Sequence, residues 1–485
     1  MPFPGSRSSR AAFVALAATF LISAASAGEQ AERAIAAVQR LAASGALPPG
    51  SSLRLGFKQG NIDAFLGSDL ALQKEWESRT GVVLDAHIIP QQPARTTLQS
   101  GQRVDLTVAR NHEYPDLLAE GLITDLTPLF EEFGFRLDDN MRDGFIRPEL
   151  QAWHSGRIAA VPADGDVVLL HLRRDLLEDP REQAAFRKQY GRPLAPPRTW
   201  REYEDLQQFF HRPAQGLYGV AEERDPDGAW MLWMPRFLSM AGPGGDLFDA
   251  RMRPLIDSPA GVAATASYVA TVKSSPPAIT EPGKGYNYVM PLFAQGKAFS
   301  MLQTVAAARI FNDEGSAVRG RVLTVPIPGQ QHGDRLVRRN TIIYGNNLVV
   351  SATASNRQLA FLYAMWLTDP DVSPQSVGVA GGFADPYRWN HLRDARIVAA
   401  YTPEALSAFA EEWSRTRPAG TGMRGDGEYL AALDRQLTAA ARGEISAQEA
   451  VKRAAADWEA ITNRLGRAVQ IGEWQAFHRQ PGVGR

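Results

Sequence analysis

Between residues 52 and 126, short stretches suited to strands alternate with stretches suited to helices, which confines the chain to α/β folds built on a parallel sheet. Ser52, Leu53, Arg54, Leu55, Gly56 and Phe57 alternate as a strand, a polar loop follows at Gly60 and Asn61, and a helical run passes through Leu72, Trp76 and Arg79. A second strand is predicted over residues 81–85 and a third over 104–108, the latter followed by a helix through Leu117 and Leu118 that stops at Gly121. Ligands of such sheets sit beyond the carboxyl ends of strands. Residues 59–61 and 110–114 are therefore cleft-rim candidates, with Asn61, Asn111 and His112 supplying the polar side chains.

Farther along, Val167, Val168, Leu169 and Leu170 form a continuous apolar run, too short for a helix and bounded by a Gly/Asp turn and by charges, which reads as a strand buried on both faces. Thr199 before Trp200, with Glu202 three residues on, is a capping box that opens a helix. A single core stops growing near 250 to 300 residues, so 485 residues imply two folding units or one two-lobed unit.

The first residues have the order of a secretory leader: Arg7 and Arg10, an apolar run over 11–25, then Ala25-Ser26-Ala27. That run falls short of the roughly 20 residues a membrane-crossing helix needs, and cleavage after Ala27 is expected. The chain has no cysteine, hence no lipid-bearing cysteine, no disulfide and no thiolate chemistry. Without Arg7 and Arg10 there are 50 Lys and Arg against 53 Asp and Glu, a net charge of −3 that gives no case for nucleic acid or an anionic membrane. A periplasmic protein that is not a lipoprotein is predicted.

Several short motifs stand in a consistent order. They are Trp76-x-x-x-Thr80-Gly81-Val82; Ala119-Glu120-Gly121-Leu122 leading to Leu126; the run 156–170; Phe293-Ala294-Gln295-Gly296-Lys297-Ala298; Tyr344-Gly345-Asn346-Asn347 before an apolar strand; and Gly443-Glu444-Ile445-Ser446 before Glu449-Ala450. In that order they resemble the family 1 extracellular solute-binding proteins of ABC importers, the maltose-binding-protein-like carbohydrate type, over roughly residues 51–466. The resemblance implies a two-lobed α/β periplasmic-binding-protein fold, type II, with discontinuous lobes and a multi-strand hinge. It divides the chain into a leader (1–27), an N-terminal helical extension (28–50), lobe 1 (51–165), lobe 2 (166–300), a return to lobe 1 (301–343), lobe 2 with C-terminal helices (344–466) and a tail (467–485). It also implies a monomer that hands a small solute to permease subunits with a cytoplasmic ATPase, and needs no cofactor or metal.

Within that frame Trp230 and Trp233 fall where the family places a ligand-stacking ring in the second lobe, although i,i+3 spacing also marks the buried face of a helix. Asp164 and Asp166 flank Gly165 at the first crossing, where they either receive ligand hydroxyls or form a solvated turn. Gly345-Asn346-Asn347 stands where relatives often carry Gly-Gly-Trp, and no aromatic follows the second crossing over residues 303–309. Amides in place of rings suit a small, polar, hydroxylated ligand such as a monosaccharide or polyol; turn chemistry is the alternative for both asparagines. Arg388, in a late cleft-loop motif, is either a ligand donor or the partner of Asp394. Asp225-Pro226-Asp227-Gly228 lacks the bidentate Glu of a calcium loop, Met234 standing in its place, and reads as a surface turn.

Signals for catalysis are thin. The eight histidines are scattered, and there is no HExxH, no G-x-S-x-G elbow and no phosphate loop. Acidic pairs leave a two-carboxylate glycosidase as one alternative, and a periplasmic sensor of the same fold as another.

Overall fold

The computed structural model describes residues 28–137, 142–224, 228–342, 344–480 and 482–483. The expected leader and the acidic residues 225–227 lie outside these residues.

The alternation at the start of the chain builds a four-stranded sheet from β1 (Ser52–Phe57), β2 (Val83–Ile88) and β3 (Leu106–Ala109). β1 is parallel to both β2 and β3, with Leu55 level with Ala86 on one side and Leu106 on the other. A second four-stranded sheet contains β4 (Val168–Arg173), β5 (Tyr218–Val220), β6 (Ala298–Thr304) and β7 (Val322–Val325) in the order β5-β6-β4-β7. β4 is antiparallel to β6 and β7, and its buried run from Val168 to Leu172 matches the double-sided burial expected from sequence. The first sheet is completed by β8 (Asn347–Val350), antiparallel to β3.

Two sheets with helices packed on each form the mixed α/β, two-lobed architecture that the sequence implies. The exchange between lobes differs from the expected boundaries. The 301–343 segment contributes β7 to the second sheet, not the first, and the 344–466 segment opens with β8 in the first sheet. Two connecting segments run side by side between the sheets, bridged at Val161 with Leu348 and at Val167 with Ile342. Gly165 lies in one of them, and only glycine fits: a Cβ there would stand 1.9 Å from the Pro386 carbonyl oxygen.

The first helix, Glu29–Ala43, is no detached extension, because it buries Ala34, Ile35 and Val38 against the helix Arg357–Leu367. Gly60 and Asn61 form no loop; they lie in the helix Gln59–Leu66. The tail contains the helix Arg467–His478, whose Trp474 packs edge-on against Phe248 at 5.4 Å. The Thr199–Glu202 capping box forms as expected, and Trp200 behind it donates its indole N–H to Ser239 at 2.7 Å.

Candidate functional site

Side chains from the carboxyl ends of parallel strands in both sheets converge between them. Lys58 follows β1 directly, Gln91 comes three residues after β2, and Arg110 follows β3 directly. From the second sheet, β5 leads into Glu222, Glu223 and Arg224, and β6 ends at Thr304. Between the two sets lie two cavities of about 620 and 420 Å³, which share Gln91, Arg110 and Tyr344 in their walls.

The larger cavity runs between His112 of the first lobe and Trp230 of the second, whose rings meet edge-on at 5.3 Å. Burial pushes the His112 imidazole down to about 3, with the Arg110 and Lys58 charges adding to the effect, so the ring is neutral at ordinary pH. The smaller cavity is bounded by Lys58, Arg110, Tyr286, Asn346 and Phe383, with Asp164, Asp166 and Asp385 at its floor.

Each floor carboxylate is held by donors from a different part of the chain. Asp164 accepts the backbone N–H of Asn346 at 3.0 Å and of Asp385 at 2.9 Å, and the Asn346 side-chain amide at 3.1 Å. Asp166 accepts from Gly345 N–H at 3.2 Å; Asp385 accepts from Ala306 N–H at 3.1 Å and the Tyr401 hydroxyl at 2.6 Å. Carboxylate oxygens of the three residues lie within 4.8 Å of one another, the separation at which such a group is able to hold a cation. Burial, and then the neighbouring carboxylates, raise both Asp164 and Asp166, so the cluster retains protons where an exposed aspartate would not.

Tyr344 sits where the cavities meet. Its backbone is left-handed, with φ of 52°, a conformation that costs a bulky residue on the order of 1–3 kcal/mol and clusters at ligand clamps. Its hydroxyl donates to Glu223, and the Arg110 guanidinium lies 5.1 Å from its ring centroid. Glu223 is presented by its neighbours: Glu222 and Arg224 are fully buried and paired at 2.8 Å, Arg236 joins them at 3.2 Å, and the residue between them lines the cleft.

Of the residues singled out from sequence, Asp164, Asp166 and Asn346 come together at the smaller cavity, and His112 and Trp230 at the larger. The other five line neither cavity. Asn61 donates to the Phe383 carbonyl at 2.8 Å and so clamps the helix after β1 to the loop that carries Phe383. Asn111 turns away to the Leu150 carbonyl at 3.4 Å. Trp233 is fully buried, stacked on Phe237 at 4.9 Å with its N–H bonded to Thr265. In Trp230 and Trp233, helical spacing marked a buried face, and only the first ring also reaches the cleft. Asn347 has no amide atom left for a ligand: its oxygen accepts from Ala163 N–H at 3.1 Å and its nitrogen donates to the Tyr114 hydroxyl at 3.1 Å and the Gln151 carbonyl at 3.3 Å. Arg388 lies over the Phe145 ring at 3.7 Å and donates to the Asp143 carbonyl and the Gln30 side chain, not to Asp394.

The cavity walls add Lys58, Gln91, Glu223, Tyr286, Tyr344 and Asp385 to those expectations. Lys58 and Gln91 obey the strand-end rule and were legible from it. Glu223 lies just beyond the carboxyl end of β5, a strand that no sequence motif singled out, and nothing local in the sequence marks Tyr344 as left-handed.

Comparison with known proteins gives a consistent picture. The family model described as bacterial extracellular solute-binding protein matches residues 89–383, more than half of the chain. A probable amino-acid ABC transporter periplasmic-binding protein of Sinorhizobium fredii is 24% identical over 258 residues, an alignment that spans about half the length of each protein (52% of both). Among solved structures, an ABC transporter solute-binding protein of Agrobacterium radiobacter K84 in complex with ribitol is 21% identical with a TM-score of 0.69, covering 86% of this chain and all of that one (100%). Maltose-bound T. maritima MalE3 is 19% identical with a TM-score of 0.68, covering 85% of this chain and 100% of its own. A protein of Agrobacterium vitis S4 with bound D-mannitol is 17% identical with a TM-score of 0.65, over 86% of this chain and 99% of that one. At these identities the likeness is one of fold.

Proposed function

We propose a specific task from a settled premise: this chain belongs to the bacterial extracellular solute-binding proteins, and its task is to enclose one small hydroxylated solute between its lobes and present it to an ABC permease. The observation that carries the proposal is the pair of cavities where strand ends of both sheets converge, walled by amides, carboxylates, cations and the rings of Trp230, Tyr286 and Tyr344. Rings offer apolar faces to C–H groups while amides and carboxylates meet hydroxyls. The smaller cavity, about 420 Å³, is in the range of small-ligand sites. Relatives of the same fold carry ribitol, maltose and D-mannitol, which supports a sugar or polyol here.

In this reading the two sheets are the cores of two lobes, and the paired segments through Val161–Leu348 and Val167–Ile342 are the hinge. A solute touching both walls favours the closed form by its greater affinity for it, and the closed form is what the permease and its ATPase recognise. Residues 1–27 direct export and are removed, leaving a monomeric periplasmic protein; no described helix is long and apolar enough to cross a membrane. The solute leaves chemically unchanged.

The test is a thermal-shift panel of polyols, hexoses, maltose and amino acids, followed by calorimetry and chromatography of the recovered ligand. One site per chain for a polyol or sugar, recovered intact, is expected, with a melting temperature that rises with concentration. Turnover of the ligand, or binding of amino acids alone, refutes the reading.

A further inference from the structure

Among the described residues, the first-lobe wall of the smaller cavity carries two cations that no carboxylate neutralises directly. Lys58 is 7% exposed, and its ammonium, with three N–H donors, has one hydrogen bond among the described residues, a 3.5 Å contact with the side-chain oxygen of Asn346. No carboxylate comes within ion-pair distance of it or of the Arg110 guanidinium among the described residues, and the contact made by Arg110 is with the Tyr344 ring. The nearest floor carboxylate, Asp164, is held off by Asn346, whose amide donates to Asp164 on one side and accepts from Lys58 on the other. Burial, and after it the Arg110 charge, lower the Lys58 ammonium to about 8 against the opposing pull of Glu113 and Asp164. Burying a charge without a paired partner is costly, as at Lys58, and the half-buried Arg110 adds a like charge facing the same cavity, a cost that a bound anion removes.

Building on the function proposed above, we infer that Lys58 and Arg110 form an anion subsite, and that the solute is a hydroxylated acid whose carboxylate or phosphate group they hold while the amide and carboxylate groups of the floor take its hydroxyls. Both cations follow strand ends of one sheet, so the subsite is preformed on the first lobe and engages its ligand before closure.

The experiment is calorimetry at low and moderate salt with matched pairs: D-gluconate against D-sorbitol, D-glucuronate against D-glucose, and glucose 6-phosphate against both acids. Loss of a buried charge-assisted contact weakens binding by roughly 30-fold or more, so each acid is expected to exceed its neutral partner by at least that factor. Lys58→Met and Arg110→Gln should each bring the acid down to the level of the neutral compound. The order of carboxylates and phosphate identifies which anion the subsite prefers. Lys58→Met removes one of two like charges and should leave the ligand-free melting temperature unchanged or higher, which separates a lost contact from a lost fold. Neutral partners that bind as tightly as the acids, or variants that weaken both equally, overturn the inference and leave the hydroxylated-solute reading standing. No binding by any member of the pairs removes that reading and the inference with it.

Discussion

Asn347→Ala is the substitution for which the structure makes the sharpest demand. The side chain is wholly buried and ties three segments together: Ala163 in one connecting segment, Tyr114 beyond β3, and the Gln151 carbonyl. Alanine leaves the Ala163 N–H without a partner in a buried site and takes one of two bonds from the Tyr114 hydroxyl, which still donates to the Gln151 carbonyl at 2.9 Å. The orphaned N–H costs about 1–3 kcal/mol and the lost bond at the hydroxyl about 1 kcal/mol more, so a total of about 3 kcal/mol is expected. At about 2–4 °C per kcal/mol for a folding unit of 150–250 residues, the ligand-free melting temperature should fall by about 6–12 °C. Calorimetric affinity for the solute, measured well below the melting range, should change by less than about threefold, because no amide atom of Asn347 is free to meet a ligand. Asn347→Asp keeps an acceptor for Ala163 N–H but buries a carboxylate against the Gln151 carbonyl, and should melt no higher than alanine at neutral pH. An unchanged melting temperature combined with a tenfold or greater loss of affinity would refute the scaffold assignment and restore Asn347 as a ligand contact.

Trp233→Ala should cost about 3–5 kcal/mol of ligand-free stability in denaturant titration while leaving affinity near wild type, since the ring packs on Phe237 and not on the cleft. Arg236→Met takes one arginine from the fully buried Glu222–Arg224–Arg236 cluster and should destabilise by about 3 kcal/mol; a variant as stable as wild type would contradict that pairing. Asp166→Asn addresses pH. Asp166 is raised in the folded state by burial and then by the Asp164 and Asp385 charges, and Asp164 by burial and then by Asp385, so between the ordinary aspartate value and the raised one the folded state holds more protons than the unfolded chain. Stability contributed by these groups is therefore present at low pH and lost as pH rises through that window. Asp166→Asn removes one of the repelling charges while its side-chain oxygen still accepts from Gly345 N–H. It should raise the ligand-free melting temperature at neutral pH and flatten its decline with pH; a variant that melts lower at pH 7 counts against the shared-proton arrangement.

The fold was legible where pattern and physics coincide. Alternating strand and helix signals placed β1 to β3, and the apolar run at 167–170 identified β4 as a doubly buried strand. Pairing partners were less accessible, because the short runs that became β7 and β8 suit either sheet, and only tertiary contacts send the first to the second sheet and the second to the first. Site prediction divided in a similar way. The strand-end rule pointed at residues 59–61 and 110–114; helix Gln59–Leu66 turns Asn61 onto the Phe383 carbonyl, while the lysine just before that helix faces the smaller cavity. Asn347 and Arg388 spend their polar atoms on groups distant in sequence, Ala163, Tyr114 and Gln151 for the first and Gln30 and Asp143 for the second, which sequence does not bring into view. Tyr344 owes its place to a strained backbone angle that no neighbouring residue announces.

The most direct measurement is a crystal structure of the protein with the tightest-binding solute of the panel. Solute enclosed between the lobes, touching Asn346 and Tyr344 at the hinge, the first-lobe strand ends at Lys58 or Arg110, and the second lobe at Glu223 or Tyr286, is the predicted result. Solute bound to the outer surface of one lobe, with the cleft filled only by water, would contradict capture by closure.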